Sequence, residues 1–95
     1  MIDEKTVFQT AINEYGSYAQ SMMLLEEMSE LQKEICKSYR GKDNAEQIAE
    51  EIADVEIMLA QVKMIYDVAE DAEKWRNAKV KRLWERLAVE RRKAE

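Results

Sequence analysis

Four acidic residues in this chain sit at spacings that could hold a metal ion. Glu27 and Glu30 are three apart, and so are Glu51 and Asp54. On a helix, residues three apart are neighbours one turn along, so each pair can reach a common ion. Carboxylates alone, with no His or Cys beside them, select a hard cation such as Mg²⁺, with Mn²⁺ as a substitute. Mg²⁺ keeps several waters and shares its shell with phosphate groups. The same spacing also arises on a solvated helix, because 20 of the 95 residues are acidic. Glu26, Glu46, Glu50, Glu70 and Glu73 read as solvated acids of that kind.

The composition says which elements must position these acids. There is no proline, there are only two glycines, and strong helix formers dominate. That combination predicts an all-α chain of long helices in a single domain over residues 1–95. The first helix is expected from Asp3 to Tyr15, with Asp3 or Thr6 as its cap. The second is expected from Ser17 to Tyr39, and its apolar stripe is Leu24, Met28, Leu31 and Ile35. Gly41 suits a left-handed position after it, and Asp43 or Asn44 suits the next cap. The third is expected from Asn44 to Tyr66, striped by Ile48, Ile52, Val55, Leu59, Val62 and Tyr66. The fourth is expected from Ala69 to Arg92, with Trp75, Ala78, Leu83 and Leu87 turned inward, joined by Val80 and Trp84.

A short loop between the second and third helices predicts an antiparallel hairpin. At ~100° per residue, both acid pairs then flank the apolar seam and meet at its edge. Like charges brought together this way destabilise a helix, and a divalent cation would remove that cost.

The net charge is −5, but nine of the fifteen basic residues lie from Lys74 onward. An acidic chain is a poor general binder of nucleic acid. An acidic middle and a basic end suit one element for cations and another for anions. There is no histidine and one cysteine, Cys36. This excludes His-based acid–base and nucleophile systems and the usual zinc sites. Cys36 reads as a small packed residue. No apolar run reaches a membrane span, and MIDEKTVFQT has no signal-peptide pattern, so a cytoplasmic location is expected.

The flanks sharpen the acid pattern. Glu26-Glu27 is doubled, Leu31 follows Glu30, and Gln20 precedes the first pair by about two turns. Glu50-Glu51-Ile52-Ala53-Asp54-Val55 forms the second block, with twenty residues between Glu30 and Glu51. With these residues, the stretch from Tyr15-Gly16 through Val62 resembles the MazG-like all-α nucleoside triphosphate pyrophosphohydrolases, whose signature is ExxE followed by ExxD. The fourth helix fits more loosely, through Lys79, Arg82 and Arg86.

The resemblance implies Mg²⁺ on Glu27, Glu30, Glu51 and Asp54, gripping a nucleoside triphosphate. It implies water attack on phosphorus, with Glu27 or Glu30 as the base, and a role in cleaning the nucleotide pool. Glu34 extends the acid stripe by one turn and becomes a candidate supporting group. Lys79, Arg82 and Arg86 share a helix face and could meet the distal phosphates. Gln20 and Asn77 could hydrogen-bond substrate, and Tyr15, Tyr18, Trp75 and Trp84 could stack on a base. A thin core for a chain of this size points to a homo-oligomer, a dimer or a tetramer. The other reading of the same residues is a non-catalytic all-α oligomer that binds a partner or a nucleotide.

Overall fold

The computed structural model describes residues 1–94. They form four helices: α1 (Glu4–Tyr15), α2 (Ser17–Tyr39), α3 (Ala45–Ile65) and α4 (Ala69–Ala94). No strand is present among the described residues, and no helix is long and apolar enough to cross a membrane.

Each joint has a local cause. Gly16 alone separates α1 from α2, with φ 94° and ψ 151°. That region of backbone space is essentially reserved for glycine. After α2, Gly41 takes φ +95°. Its N–H donates to Ser38 O, and the Lys42 N–H donates to Lys37 O. This is the Schellman arrangement that satisfies the last carbonyls of a helix. The same pair of bonds closes α3, from Asp67 to Met64 O and from Val68 to Lys63 O. There the left-handed residue is Asp67, at φ 53°.

α2 and α3 make the most extensive pairing, α1 lies against both, and α4 touches only α3. The pairing runs through Gln20 with Gln61 near one end and Glu34 with Asn44 near the other. Leu24 and Met58 are buried between these ends, and Ile12 of α1 completes the apolar core.

The expected apolar stripes lie only partly in the seam: Leu24 is buried and Leu31, Ile48, Val55 and Val62 are half-buried. Met28, Ile35, Ile52 and Leu59 are all about 40% exposed, at 40%, 41%, 42% and 41%. Gln20, Leu24, Glu27, Leu31 and Glu34 on α2 are all buried or half-buried. Their spacing of four and three alternately is that of a helix–helix seam. On α2 the contact face lies ~50° round from the stripe centre, towards the acids, and on α3 the rotation is ~70°. Polar pairs lie at the two ends of this face, Gln20 with Gln61 and Asn44 with Glu34, as buried amides need partners.

The fourth helix departs further from expectation. Trp75, Val80, Leu83, Trp84 and Leu87 are exposed, and α4 has no buried residue. A helix that touches one neighbour cannot bury two aromatic faces within a single chain. Cys36, expected to be packed, is exposed.

Candidate metal centre

The rotated seam brings acids from both helices together. Glu27, Glu51 and Asp54 each offer one carboxylate oxygen, and these oxygens lie within 4.8 Å of one another. All three residues are half-buried. They occupy the middle layer of the seam, where a simple helical hairpin would place Leu or Ile. The expectation that the acids flank the seam is corrected here: three of the four lie in it.

That position is electrostatically costly. The Glu27 carboxyl is pushed above the ordinary glutamate value, first by burial and then by the charges of Asp54 and Glu51. Hydrogen bonding to both neighbours adds to the effect. Glu51 Oε2 is buried and has no hydrogen-bond partner. An unpartnered buried acceptor costs about 1–3 kcal/mol, and more when charged. No lysine or arginine is paired with these acids; the ion pair among the described residues joins Lys37 to Glu34 at 3.1 Å.

This donor set fits a hard divalent cation. It is all oxygen, it converges on one point, and it contains a buried lone pair with nothing to bind. A cation there would reverse the repulsion that raises Glu27.

Glu30 stands apart. It is exposed, one turn along α2 and outside the converging group. With Met22, Leu25, Glu26, Glu27 and Ser29 it lines an open groove of about 530 Å³ beside the acids. A carboxylate ~80° round the helix from the seam centre cannot join a ligand set inside it.

Gln20 is buried, and its Nε2 donates to Gln61 Oε1 at 2.7 Å. It is a seam residue, not a surface group offered to a ligand. Gln61 and Asn44 carry no signal in the resemblance, yet they are among the most buried polar residues. Their polar type at seam spacing was the available clue. Glu34 sits between Asn44 and Lys37, and hydrogen bonds from Asn44 and then Lys37 hold its carboxyl below the ordinary range.

Lys79, Arg82 and Arg86 lie exposed on α4, which does not touch α2. Within one chain they are not gathered with the acids. Lys79 instead lines a shallow apolar groove with Ala72, Trp75, Arg76, Val80 and Leu83. Asn77, Tyr15, Trp75 and Trp84 are exposed, and Tyr18 shares a groove with Leu25, Val62 and Tyr66. Comparison with known protein families, with curated proteins and with solved structures finds no match.

Proposed function

We propose that this chain is a Mg²⁺-dependent nucleoside triphosphate pyrophosphohydrolase, built on an antiparallel α2–α3 hairpin and active as a dimer or a tetramer. The observation that carries the reading is the convergence of Glu27, Glu51 and Asp54 inside the seam. Three acids in a packing layer carry a burial and repulsion cost that a bound cation would offset. The substrate class is what the resemblance carried by the acid-block flanks implies.

In this reading Glu27, Glu51 and Asp54 hold the cation, and Mn²⁺ can replace Mg²⁺. When bound, the cation neutralises phosphate oxygens and lowers the pKa of a water. Glu30, on the wall of the open groove, takes the proton from the attacking water; Glu27 is the other candidate for that role. Water oxygen bonds to phosphorus as the bridging P–O bond breaks, giving a nucleoside monophosphate and pyrophosphate. The leaving pyrophosphate carries the electron pair of the broken bond. Lys79, Arg82 and Arg86 lie on α4, which does not touch α2, and in this reading they would serve the phosphates of a neighbouring copy. Positioning and charge stabilisation supply most of the acceleration in such chemistry.

A non-catalytic oligomer is the second reading, and the exposed apolar side chains of α2 and α4 favour it. A panel of nucleoside triphosphates with Mg²⁺, assayed for pyrophosphate, separates the two. Release is expected from the wild type and lost in Glu51→Gln and Asp54→Asn. Release that survives both substitutions rules out the assigned site. A stable oligomer that shows no metal binding in calorimetry leaves the interaction module.

A further inference from the structure

The α2–α3 seam carries a polar clasp on each side of the acid layer. At one end Gln20 Nε2 donates to Gln61 Oε1, while Gln61 Nε2 turns to the Met58 sulfur at 3.6 Å. At the other end Asn44 Nδ2 donates to Glu34 Oε1 and to the Glu34 backbone oxygen, both at 2.9 Å. Gln20, Gln61 and Asn44 are buried, at 8%, 3% and 7% exposure.

The spacing is regular. Gln20 precedes Glu27 by seven residues, and Glu34 follows it by seven. Seven residues make two turns, so each clasp lies ~10 Å from the acid layer on the same face of α2. Apolar layers discriminate weakly between alignments, because one Leu or Met packs against another nearly as well as against its native partner. A buried amide is different: slipped by one layer, it loses its partner and stays buried. A polar residue inside a helical seam is the best-attested device for setting register.

Asn44 adds a second sign. It occupies the N-cap of α3 yet makes no side-chain capping bond. Its Oδ1 is buried without a partner, while both amide hydrogens go across to Glu34. The side chain forgoes its local role to tie α3 to α2.

We propose that the Gln20–Gln61 and Asn44–Glu34 clasps are positioning pairs that fix the register of α2 against α3, holding Glu27 opposite Glu51 and Asp54. The consequence for cation binding rests on the reading above; the register itself does not. A slip of one layer would carry Met58 or Ile48 towards Glu27 in place of the acids.

The test is disulfide trapping in a Cys36→Ser background, in chelator, so that no cation contributes. E27C is paired either with D54C or with I48C, and the two oxidation rates are compared. With both clasps intact, the D54C pair is expected to form several-fold faster. In Q20L/Q61L/N44A that preference should collapse to near parity. Q61E, in which Gln20 still has an acceptor, should retain it. A preference undiminished in the triple variant overturns the proposal. If circular dichroism shows that the triple variant does not fold, Q20L/Q61L alone decides on the same criterion, because its apolar pair preserves shape. On the native acids, free Mn²⁺ is counted by electron paramagnetic resonance. Loss of the clasps should weaken binding about 10–100-fold, the range for supporting residues around metal sites. A wild type that binds no Mn²⁺ would end the cation reading and leave the trapping result standing.

Discussion

Glu27 is where the seam and the site compete most directly. Its charged form is disfavoured by burial and by Asp54 and Glu51, so its carboxyl is raised. A group raised in the fold favours the folded state below its unfolded value and opposes it as pH climbs through the folded value. In chelator at neutral pH, Glu27→Gln should therefore raise the thermal midpoint. The gain should fade as pH falls below the ordinary glutamate value, where Glu27 is protonated anyway. With excess Mn²⁺ the order should invert, because the wild type gains about 2.7 kcal/mol at a hundredfold excess over Kd and the variant does not. Thermal melts with and without the ion decide this, and a variant no more stable than the wild type in chelator would refute the repulsion.

At the scale of the element, two of the three joints between helices rest on a glycine and the third does not. Asp67 holds a left-handed conformation at the end of α3 that glycine adopts without cost. Non-glycine residues there cost on the order of 1–3 kcal/mol, with Asp at the low end. Asp67→Gly is expected to stabilise the chain by roughly 0.5–1 kcal/mol after the extra freedom of the unfolded glycine is set against it. Urea denaturation measures this, and a loss of stability would show that the Asp67 side chain contributes something beyond its backbone.

The helix boundaries were legible in the sequence because their causes are local. Gly16, Gly41 and the run of helix formers each act within a turn of themselves, so α2 lies at Ser17–Tyr39 as expected. The end of α3 was softer to read, since no glycine marks it and Asp67 looks like any surface acid. The four candidate acids were legible as spacing, but which of them converge was not. Glu30 and Glu27 differ only in angle to a seam that pairs Gln20 with Gln61, 41 residues away. No periodicity within one helix contains that information, and a wheel drawn from apolar residues alone is offset by ~50–70°.

The whole molecule is open for a chain of its length and leaves much apolar surface uncovered. Its radius of gyration is 17.4 Å, against about 13 Å for a compact chain of this length. Among the described residues, twenty-two large apolar side chains are exposed and three apolar residues are buried. Monomeric proteins seldom leave contiguous apolar surface uncovered on that scale. Charge is divided in the same sense: residues 1–68 carry fourteen acids and six bases, and α4 carries five acids and nine bases. Sedimentation equilibrium should give a mass two or four times the 11.2 kDa of one chain. Leu83→Glu, which places a charge on the exposed face of α4, should shift the population to monomer. A monomeric wild type at micromolar concentration would remove the oligomer from the proposal.

The single-residue joint at Gly16 has a consequence for how such a chain can change over time. With no slack between α1 and α2, an inserted residue there would rotate one helix by most of a third of a turn against the other. The segment from Arg40 to Asp43 is different, because it lies beyond the Asn44–Glu34 tie and outside both acid blocks. Descendants of this chain can lengthen or shorten there without moving Glu27 away from Asp54. The loop of residues 40–43 is thus the part of the sequence most free to change in length, and the seven-residue steps on either side of Glu27 are the part least free.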